Sequence, residues 1–128
     1  MRLLVGFVIL VVLIIAGVNA LVSSEKKETE ARLQNTLASY RSALKPGASR
    51  EQTEAYLHQH NIAFTRSCCQ PGVFSDTADL GDEPRNLFCQ PWKVSVEFQF
   101  KNTEAPAEAA KGSDVLTDID LHREGVCF

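Results

Sequence analysis

Four cysteines, three histidines and a scatter of carboxylates are the side chains of this sequence that could do chemistry. Their spacing tests each possibility in turn. Cys68 and Cys69 are adjacent, and as a reactive thiol pair they would need a cation or a helix N-terminus to lower the thiol pKa. Arg66 is the nearby candidate. The spacing of disulfide oxidoreductases, two residues between the cysteines, is absent, so a structural or inert pair is the simpler account. His58-Gln59-His60, a short way ahead of Cys68-Cys69, offers the soft donors that zinc or copper would take. Residues two apart on a helix do not face each other, however, and surface histidines near a helix end explain them as well. Asp76, Asp79, Asp82 and Glu83 lack the alternating spacing and central glycine of a calcium loop, and read as a solvated acidic stretch. Asp118, Asp120 and His122 would lie together on the polar face of one strand, but no serine stands in a nucleophile motif such as G-x-S-x-G. Trp92, next to Pro91, is expected as a core or sheet-edge aromatic, the sharper alternative being a binding hot spot. These residues predict no catalytic centre, no metal, no cofactor and no small-molecule substrate.

The stretch that must position everything else is Leu3 to Val22, which has no charged side chain and is almost wholly Leu, Val, Ile, Ala, Gly and Phe. At about 1.5 Å per residue such a helix covers about 30 Å, the thickness of a bilayer's hydrocarbon core. Residues 1–24 are therefore read as a membrane anchor and residues 25–128 as one domain, since the length leaves no room for a second. Arg2 on one flank and the nearly cancelling Glu25, Lys26, Lys27 and Glu28 on the other place the N-terminus inside and the domain outside. A cleaved signal peptide, cut near Ala20 after the small-residue run Val18-Asn19-Ala20, is the competing reading. Of 13 Lys and Arg only Arg2 precedes Ser23, so the domain sets the other twelve against all 16 Asp and Glu. An acidic surface whose only adjacent basic pair is Lys26-Lys27 excludes a nucleic-acid partner and a polybasic lipid patch.

From Glu25 to Leu44 there is neither Gly nor Pro, and Leu33, Leu37, Tyr40 and Leu44 recur at helical spacing. No capping box separates this amphipathic helix from the anchor, so the two could run on as one. Pro46-Gly47 stops it. Ser49-Arg50-Glu51-Gln52 then reads as a capping box that starts a second helix at Arg50, with Thr53, Tyr56, Leu57 and His60 on its inner face and Asn61 in a left-handed end. Ile62 to Cys69 is expected as a strand. Between Gln70 and Asn86 the prolines, glycines and polar side chains predict a long connection with a brief edge strand around Thr77 to Asp82. Lys93 to Lys101 alternates cleanly, with Val94, Val96, Phe98 and Phe100 inward. Val115, Thr117, Ile119 and Leu121 are the inward set of a last strand.

Antiparallel pairing of these last two strands sets Val94 against Leu121, Val96 against Ile119, Phe98 against Thr117 and Phe100 against Val115; a slip by one residue would place every apolar side chain opposite a polar one. Extended outward, and with one residue bulged at Gln90-Pro91, that register brings Cys89 opposite Cys127. An even cysteine count behind an export signal fits a disulfide framework, and Cys89 to Cys127 is the expected bridge. Cys68 and Cys69 remain as free thiols, as a link to a partner, or as participants in exchange.

The fold class so predicted is α+β: an N-terminal transmembrane helix, then two helices packed on a small antiparallel sheet of three to four strands. With the helix opening Leu44-Lys45-Pro46-Gly47-Ala48-Ser49-Arg50-Glu51-Gln52, this layout resembles the SmpA/OmlA-type domain of small bacterial envelope proteins over residues 44 to 128. The resemblance implies an envelope location and protein-protein contacts during outer-membrane assembly. That family is lipid-anchored, whereas no cysteine follows the apolar run here, and Asn61-Ile62 stands where its glycine-proline would. The stretch Gly81-Asp82-Glu83 to Phe100, with Phe88-Cys89 and Cys127-Phe128, looks more like single-pass bacterial membrane proteins carrying a related domain. The expectation is thus a single-pass inner-membrane protein whose periplasmic domain binds or scaffolds other envelope proteins, without catalysis. An envelope thiol-redox or metal-handling role for Cys68 and Cys69 is the alternative.

Overall fold

The computed structural model of the chain describes residues 2–70, 73–83, 91–102 and 111–125. Helix α1, Arg2–Ala43, carries the apolar run and the amphipathic segment as one element. With no capping signal and no proline between them, nothing interrupts the backbone hydrogen bonding. Two helices therefore precede the sheet, the anchor and the first of the expected pair running on as one, as the missing capping box allowed. Among the described residues α1 is the one helix long and apolar enough to cross a membrane, and its large side chains, among them Leu13, Ile15 and Leu21, are exposed. The chain divides into two compact units, Met1–Arg32 and Leu33–Phe128.

The second unit is an α+β domain. Leu33, Leu37, Tyr40 and Leu44 of its first helical segment are all buried, as their spacing predicts, and the Tyr40 ring meets the ring of Phe98 edge-on at 5.5 Å. Gly47 takes a positive φ of 96° in the turn that follows. Helix α2, Arg50–Gln59, opens on a complete capping box: the Gln52 amide donates to Ser49 Oγ at 3.2 Å, and the Ser49 amide to Gln52 Oε1 at 3.1 Å. It closes on a Schellman turn, with Asn61 left-handed at φ 55°, the Ile62 amide donating to Leu57 O and the Asn61 amide to His58 O. Thr53 and Leu57 are buried and Tyr56 is half-buried. His60, expected on the inner face, is exposed, because the helix ends before it and the cap turns it outward.

Four antiparallel strands, β1 (Phe64–Gln70), β2 (Val73–Asp82), β3 (Lys93–Lys101) and β4 (Val115–Glu124), pair in chain order β1-β2-β3-β4. Both helical segments cover one face, burying Leu37, Tyr40, Leu44 and Leu57 against Ala78, Val96, Phe98, Phe100, Leu116 and Ile119. The other face carries Thr65, Thr77, Ser95, Glu97 and Gln99, half-buried or exposed.

Two expectations about the sheet need correction. The segment read as a connection with a brief strand is a full inner strand, β2, paired to β3 from Val73 to Asp82 and to β1 from Val73 to Ala78. Its inward positions are Phe74, Asp76 and Ala78, one of them charged and one small, so no hydropathy alternation marks it. The β3–β4 register also differs. Val96 faces Leu121 and Phe98 faces Ile119, two residues from the expected pairing, and a bulge at Gln99–Phe100 then sets Phe100 opposite Leu116. A two-residue offset keeps every side chain on its face, so alternation alone could not distinguish the two registers. The bulge has a clear cause. Leu116 and Ile119 lie three apart and could not both face inward on a regular strand; with the bulge both are buried, while Val115 is half-buried and Thr117 exposed.

The turn between the helices also joins the sheet. Gly47 N donates to Leu116 O at 2.9 Å and Leu116 N to Ala48 O at 2.8 Å, and Ser49 forms a bridge with Val115. Further along the same edge, Arg41 Nε donates to Ile119 O at 2.9 Å. These contacts cover part of the β4 edge, whose backbone groups would otherwise be open to another chain.

Candidate functional site

The densest polar chemistry of the domain converges on Arg50, the first residue of α2. The capping box fixes where that helix begins, and the Arg50 amide donates to Asp114 O at 2.7 Å, which ties the helix start to the segment entering β4. The side chain then runs inward and is 2 % exposed. Its guanidinium lies over the Phe100 ring, 5.0 Å from the centroid, and meets three carboxylates. Nη2 donates to Asp76 Oδ1, Nε to Glu54 Oε1 at 3.2 Å, and Nη1 is 3.6 Å from Asp114 Oδ2. Asp76 and Asp114 are fully buried. Arg66, from β1, closes the outer end of the cluster with two bonds to Glu54, 2.8 Å to Oε1 and 2.6 Å to Oε2.

Burial and pairing pull these carboxyls in different directions. Burial raises Glu54, but the hydrogen bonds and charges of Arg66 and Arg50 outweigh it and hold the carboxyl below its ordinary value. At Asp76 burial wins, and the carboxyl is raised despite the Arg50 guanidinium beside it. Three side-chain atoms in the cluster, Arg50 Nη1, Asp76 Oδ2 and Asp114 Oδ1, are buried with no hydrogen-bond partner among the described residues. Such a site is costly to form and holds its shape only if the rest of the fold supports it.

No known family, curated protein or solved structure matches this chain. What the site can do therefore rests on its own geometry.

Among the described residues, those singled out in the sequence do not converge. His58 packs its ring on Phe64 at 5.2 Å and His60 on Tyr56 at 4.3 Å, each exposed and on a different neighbour. Among the described residues no three His, Cys, Asp or Glu side chains group as metal ligands would. Arg66, the cation that could have activated Cys68 or Cys69, is committed to Glu54. Cys68 pairs with Phe74 in the β1–β2 ladder, and the register breaks at Cys69. Asp118 and Asp120 lie beside Arg41, at 3.8 Å and 2.7 Å, and His122 contacts Glu124 at 3.1 Å. Asp79 Oδ1 accepts from the Gly81 amide at 2.7 Å, Asp82 lies opposite Lys93 at the end of β2, and Glu83 accepts from Arg123 at 2.9 Å, so the acidic stretch is shared among turns and ion pairs.

Trp92 is half-buried against Gly125, where an added Cβ would come within 2.7 Å of the indole ring. Cys89 and Cys127, the expected bridge, lie outside the described residues. The ladder between their segments ends with Lys93 opposite Glu124, in a register two residues from the one used to pair them.

Sequence reasoning passed over Arg50, Asp76 and Asp114. Arg50 was legible only as part of a capping box and Asp76 as part of an acidic stretch. One signal could have joined them: Arg50 and Glu54 at helical i, i+4 spacing, on the turn that also carries the buried Thr53 and Leu57.

Proposed function

We propose that the chain is a single-pass membrane protein whose α+β domain lies outside the cytoplasmic membrane and acts as a non-enzymatic binding or scaffolding module for other envelope proteins. The observation that carries this reading is the run of exposed apolar side chains along α1, continuous in one helix with a segment that enters the domain core. A helix of that length and composition fits an anchor, and Arg2 at its start fits the orientation with the domain outside. Within the domain, one sheet face is packed and the other presents Thr65, Thr77, Glu97 and Gln99, polar side chains suited to a wet protein contact rather than to a buried ligand. The likeness to SmpA/OmlA-type domains points the same way.

Protease digestion of intact spheroplasts tests the placement. Loss of the domain with retention of the anchor supports it, and protection of the domain until the membrane is lysed overturns it. The mass of the mature chain separates an anchor from a peptide cleaved near Ala20. Photo-crosslinkers at Thr77 and Gln99 should then capture one discrete envelope protein that the same probe at Lys45 does not. A thiol-redox role draws on the break in register at Cys69, since bulges recur beside active sites. Thiol titration decides it: reactive, low-pKa thiols at Cys68 and Cys69 would replace the binding-module reading.

A further inference from the structure

We propose that the outer edge of strand β1 is a docking edge for an extended segment of another protein, which adds to the sheet as a further strand and places a basic side chain in a groove between Thr65 and Asp79. This deepens the reading of the domain as a binding module, on which it rests, by naming the surface and the kind of partner.

The fold treats the two edges of the sheet differently. On β4 the Ile119 amide donates to Asp118 Oδ1 at 2.8 Å and the Ile119 carbonyl accepts from Arg41 Nε at 2.9 Å, while Gly47 and Ala48 hold both backbone groups of Leu116. That part of the edge is closed to a further strand. The same bonds give the direction of the backbone groups across the sheet. Ile119 N and O point away from β3, and residue pairs in an antiparallel sheet alternate between bonded and open. Following the register from Ile119 through Phe98 and Asp76 to Arg66, and from Leu121 through Val96 and Ala78 to Phe64, sends the N–H and C=O of Phe64 and Arg66 out on the far side of β1. Among the described residues neither has a backbone partner there. Arg66, the one charged side chain of β1, is held by Glu54 and does not guard the edge. The break in register lies at the other end, between Cys68 and Gln70. An open edge of this kind is completed by an extended chain.

Chemistry beside the edge selects the occupant. On the outer face a groove of about 300 Å³ runs from Thr65 past Thr77 and Asp79 to Ser95, with Lys93 and Glu124 also lining it. Among the described residues that line it, two carboxylates stand against one ammonium. Neighbouring strands lie about 4.8 Å apart, so a lysine or arginine beside Thr65 on the added strand is long enough to enter the groove toward Asp79. On the helix side Phe64 is half-buried, with the exposed His58 ring 5.2 Å away, and an apolar side chain opposite it would cover the rest. The partner segment is therefore apolar on one side and basic on the other. A second β1 does not meet that description, because its single charge is Arg66, already bound to Glu54.

Amide hydrogen exchange by NMR, on the full chain in detergent with an acetylated and amidated peptide of alternating valine and lysine as probe, tests the edge. The peptide is expected to slow exchange of the Phe64 and Arg66 amides by at least about tenfold. The same peptide N-methylated at every valine should not, because the valines that face α2 also direct their amides to β1. Asp79→Asn keeps an acceptor for the Gly81 amide but removes the charge, and should weaken the peptide by about two- to fivefold. No slowing at those two amides, equal slowing by the methylated peptide, or full affinity in Asp79→Asn overturns the proposal. In cells, Arg66→Pro removes the edge-facing amide and leaves the ladder to β2, whereas Arg66→Gln loses only the ion pair with Glu54. A photo-crosslinker at Thr65 should capture a protein that Arg66→Pro loses and Arg66→Gln keeps. If probes at Thr77 and Gln99 capture a partner that Arg66→Pro does not displace, the binding-module reading stands and the β1 assignment falls. Capture of a second copy of this chain at Thr65 overturns it as well.

Discussion

Replacing Arg50 by methionine removes the guanidinium while keeping a flexible stem over Phe100. It leaves Asp76 and Asp114 buried without their cation, and taking one partner from a buried ion pair typically costs about 3–5 kcal/mol. The lost cation-ring contact adds about 0.5–2 kcal/mol. Against a total stability of about 5–15 kcal/mol for a domain of this kind, that is a large fraction. With a urea dependence of about 1–3 kcal/mol per molar, the unfolding midpoint should fall by roughly 2 M. The single tryptophan, Trp92, lies half-buried in the domain, so its emission reports domain unfolding without interference from the helicity of the anchor. Stranded carboxylates can protonate, so the cost should shrink in mild acid. The double variant with Asp76→Asn should recover part of it at neutral pH, because one of the stranded charges is gone. A cost below about 1 kcal/mol at neutral pH, unchanged by acid, would show that the cluster does not hold the domain together and would refute the reasoning.

Four further outcomes are expected. Glu54→Gln should lower the urea midpoint at neutral pH and flatten the acid limb of the stability profile: a carboxyl held below its ordinary value by Arg66 and Arg50 adds stability above its unfolded pKa and loses it as pH falls through the folded one. Leu57→Ala, at a position with no exposure, should cost about 2–5 kcal/mol in the same urea assay. Ser49→Ala breaks the capping box and should cost about 0.5–2 kcal/mol, with faster hydrogen exchange at the Gln52 amide as its local signature. Gly125→Ala should displace the Trp92 ring and shift its emission maximum, with a cost of about 1–3 kcal/mol, because the added carbon would sit too close to the indole.

Much of the architecture was legible because local chemistry spells it out. The buried stripe of Leu33, Leu37, Tyr40 and Leu44, the capping box at Ser49 and the left-handed Asn61 are all decided within a few residues of themselves. So is the face of β3, where strict alternation sends Val94, Val96, Phe98 and Phe100 inward. β2 was hidden because one of its inward positions is an aspartate, and an aspartate belongs in a core only when a partner elsewhere in the chain neutralises it.

The sequence by itself determined the apolar helix, the two-residue period of β3, the stops and starts of the helices and the parity of the β3–β4 register from Lys93 to Gln99, since each follows from side-chain sterics and hydropathy at short range. Tertiary structure alone decided the register itself, the bulge that brings Leu116 and Ile119 to one side, and the meeting of Arg50 with Asp76 and Asp114. Those depend on which distant groups must share a dry interior. Burial turns a charge into a demand for a partner, and only the packed chain can say which residue meets it.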